Sequence, residues 1–189
     1  TLMSQLFNEE QIYRIEHYLA KEMIRNILAF RFGNNLFEGV WDRSFIESIH
    51  LRLWESIGVE SRGNFYDKIG TLRDVGQNHL LQMLALTTME CPTSFSAEAI
   101  RARRAELLAS LRPMDPDEVR RSTFRAQYAG YTEIAGVARS SQTETFFSNF
   151  LSSVQIFFIW RIWKKFGEFR HLNFFLEFGN FYLTNSMSG

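Results

Sequence analysis

Apolar residues set a helical rhythm early in the chain. Leu19, Met23, Ile24, Ile27, Leu28 and Phe32 recur at spacings of three to five, which predicts a helix from Tyr18 to about Leu36. Before it, residues 4–11 read as a charged, helix-like segment. Residues 11–15 read as a short strand, with Ile12 and Ile15 apolar and Tyr13 tolerant of a strand. Residues 45–54 alternate as a strand does, setting Phe45, Ile49, Leu51 and Leu53 against Glu47, His50 and Arg52. Residues 58–70 form a polar loop centred on Gly63 and Asn64. A second long helix over 71–89 carries Leu72, Val75, Leu80, Met83, Leu84 and Leu86, and Pro92 ends it. Ser96 is the N-cap of a third helix over 97–111, which Pro113 and Pro116 close. Residues 118–128 read as a strand with arginines on its wet side. A glycine-containing loop runs from there to Thr143, and another apolar strand starts at Glu144. No internal repeat occurs, and the strands lie too far apart for hairpins. The pattern predicts an α+β fold with helices packed on one face of a mainly antiparallel sheet.

Residues 146–189 break the rhythm. They hold 11 of the 19 phenylalanines and two of the four tryptophans, with no proline. Neither a helical nor a strand period persists there. The segment reads as buried core or as an exposed apolar patch for a partner. Asn149, Gln155 and Arg161 interrupt its most apolar stretch, so no membrane-spanning helix is expected.

Charge balances, with 21 basic and 21 acidic residues, so no bulk electrostatic argument favours nucleic acid or an anionic membrane. The single cysteine, Cys91, excludes an internal disulfide and a cysteine-built zinc site, in keeping with a reducing cytoplasm. No metal site is expected. The chain starts at Thr1 in mid-pattern, without a visible signal peptide, and looks like a piece of something longer.

Chemistry concentrates in residues 14–21, Arg-Ile-Glu-His-Tyr-Leu-Ala-Lys. A helix starting there aims free N–H groups and its positive dipole end at His17 and Tyr18. Lys21, four residues after His17 and three after Tyr18, shares their face. An anion site, for phosphate or carboxylate, is the first reading. A second cluster lies at 73–79, where His79 sits on the apolar stripe between Val75 and Met83. A lone histidine there is more often a core residue than a base. Its company alters the balance, because Glu55 ends a strand and Asp74 begins a helix. Glu16 has no obvious partner of its own. A carboxylate facing His79 would orient it and stabilise its charged form, as a general base needs.

The octapeptide resembles the substrate-site signature of the glucose-6-phosphate dehydrogenase family, usually Arg-Ile-Asp-His-Tyr-Leu-Gly-Lys. The resemblance continues through residues 26–37, Trp41-Asp-Arg43, the Gly-Val-Glu-Ser-Arg-Gly of 58–63, Arg73-Asp74, the Gln-Asn-His-Leu-Leu-Gln of 77–82 and the Thr-Glu-Thr-Phe of 143–146. It covers about the first 150 residues. It implies NADP-linked oxidation of glucose 6-phosphate to the 6-phosphogluconolactone, the opening step of the oxidative pentose phosphate pathway. In that reading His79 is the general base, oriented by Glu16. His17, Tyr18 and Lys21 grip the sugar phosphate, and Glu55 and Asp74 bind sugar hydroxyls. The implied organisation is the end of a dinucleotide-binding domain at 1–16, a substrate-binding and dimerisation domain at 17–150 and a divergent tail at 151–189. The full-length family member is expected to be a homo-oligomer. The alternative is a truncated, non-catalytic sugar-phosphate-binding or subunit-interaction module.

Three departures stand within the pattern. Glu16 replaces an aspartate, Ala20 a glycine, and Asn64 a second glycine. No glycine-rich phosphate loop follows a strand anywhere in the chain. After Phe146 the family's Gly-Val-Pro-Phe and Gly-Lys segments are missing. Phe-, Ile- and Asn-rich sequence in their place is what an AT-rich gene gives when read out of frame.

Overall fold

A computed structural model describes residues 2–13, 16–55, 57–151, 154–160, 172–178 and 181–185. Helix α1 (Leu2–Leu6) is followed by a 3-10 turn at Glu9–Gln11, α2 (Glu22–Phe32), α3 (Asn35–Glu38) and strand β1 (Ser48–Glu55). A 3-10 turn at Glu60–Arg62 leads into α4 (Gly63–Tyr66). The long second helix opens as a π-helix (Leu72–Leu80) and continues as α5 (Leu81–Thr88). Then come α6 (Ala97–Ser110), α7 (Pro116–Ser122), β2 (Thr123–Ala126), β3 (Phe146–Leu151), β4 (Val154–Trp160), β5 (Leu172–Phe178) and β6 (Phe181–Asn185). Among the described residues no helix is long and apolar enough to cross a membrane.

The strands form one six-stranded sheet in the order β2-β3-β4-β1-β5-β6. Every neighbouring pair is antiparallel except β1 with β4, which run parallel with Leu51 opposite Ile156. The alternation expected for β1 holds. Ile49, Leu51 and Leu53 are buried, whereas His50 and Arg52 are half-buried on the opposite face. The buried face meets Val75, Leu80, Met83 and Leu84 from the long helix, Ile24 from α2 and Phe147 from β3. Each of these side chains contributes about 1.5–3 kcal/mol by leaving water. The α+β class with helices on one sheet face is therefore as expected.

Two features lock the long helix onto the sheet. A Cβ on Gly76 would lie 2.7 Å from Phe147 Cζ, so only glycine lets helix and strand approach this closely. At the helix start the Glu144 carboxylate accepts from Leu72 N–H at 2.9 Å, and Thr71 N–H donates to the Glu144 carbonyl at 3.1 Å. This is capping from a distant segment, with a negative charge at the positive end of the dipole.

Several expectations from the pattern need correction. The first helix begins at Glu22, not Tyr18, and breaks at Gly33 before α3. Lys21 is its extended N-cap, because residues 17–20 are spent in a turn closed by Lys21 N–H on the Tyr18 carbonyl. Of residues 11–15, Gln11 belongs to the 3-10 turn, Ile12 and Tyr13 to no strand, and the rest lie outside the described residues. The loop at 58–70 contains two helical turns, with positive φ at Glu60 and Gly70. Residues 116–122 are helical, which leaves only Thr123–Ala126 of the expected strand. Asp115 explains this: its carboxylate accepts from Glu118 N–H at 2.8 Å, and Pro116 takes the first helical position. Pro116 thus opens a helix and does not merely close the one before.

The tail is also more regular than its pattern suggests. Residues 154–160, 172–178 and 181–185 are strands, and β4 and β5 flank β1 on either side. Hairpin partners exist after all, with Leu151 opposite Val154 and Phe178 opposite Phe181. Apolar runs of five to seven residues have the length of strands and need show no alternation. Phe147 of the aromatic segment is buried core, and whether the aromatic side chains from 149 onward form core or an exposed patch lies outside the described residues.

Candidate active site

Local hydrogen bonding builds the first cluster. Tyr18 N–H donates to Glu16 Oε1 at 3.0 Å, and with the Tyr18–Lys21 turn this folds residues 16–21 into a compact knot ahead of α2. The knot aims the Glu16 carboxylate at the long helix. There His79 Nδ1 lies 2.7 Å from Oε1 and 2.8 Å from Oε2. A carboxylate only accepts, so Nδ1 carries the proton of this contact, and in the neutral ring Nε2 is the nitrogen left to accept. The extra methylene of glutamate thus still reaches the imidazole.

The buried ring of Tyr18 is the hub of the cluster. His79 stacks on it with centroids 4.2 Å apart, His17 packs at 4.5 Å, and the Lys21 ammonium sits 4.5 Å from its centre. His17 and His79 meet edge-on at 5.3 Å. The Tyr18 hydroxyl donates to Glu55 Oε1 at 3.2 Å. Burial, reinforced by Glu55, pushes its phenol well above the usual range, so the hydroxyl remains a donor. His17 and Lys21 are exposed, while Glu16, Glu55, Asp74 and His79 are half-buried. Six of the seven candidate residues therefore meet around Tyr18, and the charge of the seventh, Asp74, is felt at the Tyr18 phenol.

The π-helix matters for Asp74. Its hydrogen bonds lengthen to the fifth residue back by Leu81 N–H to the Gly76 carbonyl, although Asp74 N–H bonds the Gly70 carbonyl four back, so residues five apart lie nearer one another around the axis than in an α-helix. Asp74 and His79 have that separation. An α-helix would turn them about 140° apart around its axis.

Sequence reasoning missed two neighbours. Arg62 Nη2 pairs with Asp74 Oδ2 at 2.8 Å, although Arg62 lay inside a matched motif. Arg104 of α6 lies behind Glu16. Burial pulls its guanidinium down from the ordinary value while Glu16 opposes that fall, and its Nη2 donates to Gln82 Oε1. Both Arg104 and Glu16 line a cleft of about 670 Å³ that also takes in Tyr13 and Arg101. Nothing in the local pattern of α6 points to the site.

The profile described as "Glucose-6-phosphate dehydrogenase, C-terminal domain" matches residues 28–156, and "Glucose-6-phosphate dehydrogenase, NAD binding domain" matches residues 1–26. The chain belongs to the glucose-6-phosphate dehydrogenase family. It is 47% identical over 141 residues to "Glucose-6-phosphate 1-dehydrogenase 1" of Mycobacterium bovis, across 75% of this chain and 29% of that relative. With "Glucose-6-phosphate 1-dehydrogenase" of Bacillus subtilis it shares 45% identity over 152 residues, 75% of this chain and 31% of the relative. The fold agrees. A crystal structure of glucose-6-phosphate 1-dehydrogenase from Mycobacterium avium superposes with a TM-score of 0.75 at 28% identity, over 98% of this chain and 50% of that one. A structure described as "Glucose-6-phosphate dehydrogenase in complex with its substrate glucose-6-phosphate" gives 0.73 at 27% identity, over 98% and 48%. The chain thus spans about a third of the length of its curated glucose-6-phosphate dehydrogenase relatives.

Proposed function

We propose that this chain supplies the substrate half of a glucose-6-phosphate dehydrogenase. That enzyme oxidises D-glucose 6-phosphate at C1 to 6-phospho-D-glucono-1,5-lactone, with NADP as the acceptor, in the cytoplasm. The observation that carries the reading is the Glu16–His79 contact, with both carboxylate oxygens within 2.8 Å of Nδ1. His79 Nε2 takes the proton of the C1 hydroxyl, and Glu16 stabilises the imidazolium that results. His17 and Lys21, exposed and cationic or able to become so, grip the phosphate together with Tyr18. Glu55 and Asp74 accept from sugar hydroxyls.

NADP supplies the hydride acceptor. The 189 residues contain no Gly-x-Gly-x-x-Gly loop, so its phosphates have no cradle of that kind here. Residues 1–16 are assigned to the end of the dinucleotide-binding domain, 17–150 to substrate binding and dimerisation, and 151–189 to the divergent tail. The complete protein is a homo-oligomer in this reading.

A second reading rests on the same glycine pattern and on the chain's share of its relatives' length. By itself the chain is a sugar-phosphate-binding or subunit-interaction module without turnover. Thermal unfolding with glucose 6-phosphate tests what the two readings share. Millimolar ligand should raise the midpoint, and Lys21→Ala should remove most of that rise. An unshifted midpoint contradicts a formed sugar-phosphate site.

A further inference from the structure

We propose that Glu16, His17 and His79 together form a site for a divalent transition-metal ion of the zinc type, and that an ion held there blocks the imidazole. One ligand atom from each of the three side chains lies within 4.8 Å of the others. Among the described residues this is the grouping of histidine and carboxylate groups that comes close enough to share an ion.

The donor set fits. Two imidazoles and a carboxylate are ligands that Zn²⁺ takes at about 2.0–2.2 Å, with a fourth position left to water. Imidazole nitrogen also selects Co²⁺, Ni²⁺, Cu²⁺ and Zn²⁺ over Mg²⁺ and Ca²⁺, which prefer all-oxygen sites. Donors around a tetrahedral ion of this size stand about 3.3 Å apart. Glu16 and His79 stand 2.7 Å apart across a hydrogen bond, so an ion takes the place of the shared proton and parts them by about 0.6 Å. His17 supplies the movement. It is exposed, its ring already meets the His79 ring edge-on, and from within 4.8 Å a swing of about 1.5 Å closes the set.

The sequence pattern gave no warning, because a search for cysteine-built sites passes over two adjacent ligands and a third 63 residues away. An ion here occupies an imidazole nitrogen and the Glu16 carboxylate at once. The base can then neither be oriented by Glu16 nor receive a proton.

Titration of the chelator-stripped 189-residue chain with cobalt(II) chloride tests the site. No sugar phosphate is present, so the outcome is independent of the proposed substrate. One equivalent should bind with visible d–d absorption, and the ring resonances of His17 and His79 should broaden while those of His50 do not. His17→Ala and, separately, Glu16→Gln should weaken binding at least about tenfold, since even outer-shell losses cost that much. Cys91→Ser should leave it unchanged. The proposal is overturned if no absorption develops, if His17→Ala binds as the parent chain does, or if broadening centres on His50 or absorption is lost in Cys91→Ser.

Discussion

Glu16 and His79, 63 residues apart in the chain, meet through both oxygens of one carboxylate and a single ring nitrogen. Tyr18 supports the contact on both sides. The Tyr18 amide holds Glu16, and stacking on Tyr18 holds the His79 ring. Glu16→Gln keeps the shape and one accepting oxygen but loses the charge that stabilises an imidazolium and sets an NH2 group in place of the second oxygen. In the protein supplied with a dinucleotide-binding domain, turnover should fall by about 10²-fold with KM for glucose 6-phosphate little changed. Glu16→Asp keeps the charge but loses reach, and steady-state kinetics should place it between the two.

Arg31 predicts a stability effect away from the site. It is 2% exposed, and its guanidinium donates to the carbonyls of Thr87 and Met89 at 2.9 Å, and to Leu86 at 3.4 Å. It thereby satisfies the end of α5, while the rings of Phe32 and Trp41 pack against it. Lysine cannot reproduce the planar fork. Arg31→Lys should lower unfolding stability by about 2 kcal/mol in urea titration, by leaving carbonyls short of a donor.

Asp67 predicts a pH effect. Partial burial raises its carboxyl, but hydrogen bonds from the Ser141 hydroxyl, the Ala138 amide and the Tyr131 hydroxyl outweigh this and leave it below the ordinary 3.8. A depressed folded value means the native state releases its proton first. The stabilisation is complete above the ordinary value and is lost as pH falls below 3.8 through the folded value. Asp67→Asn should flatten that acid limb of stability against pH and should loosen residues 131–143, readable by hydrogen exchange.

The site was more legible than the fold around it. Residue types and order in 14–21 and 73–79 named six of the seven candidate side chains, Glu55 standing at a strand end outside both, and the Ser96 cap and the β1 alternation follow local rules that the structure obeys. The π-helix was invisible, because a 3.6-residue template reports the apolar stripe whatever the hydrogen-bond step. The helix at Pro116 carried a usable signal, an aspartate cap before a proline, that a run of arginines obscured. Parallel pairing of β1 with β4 joins segments about a hundred residues apart, and no local pattern records such a partner. Arg62 and Arg104 were missed for the same reason, since each meets the site through tertiary contact alone.

The central claim is that His79 is the base. The most direct measurement is the rate of NADP reduction by glucose 6-phosphate in the His79→Ala variant of the protein joined to a relative's dinucleotide-binding domain, beside substrate affinity from thermal shift. Turnover should drop by about 10²–10⁴-fold while glucose 6-phosphate still raises the unfolding midpoint. Full turnover in that variant contradicts the account.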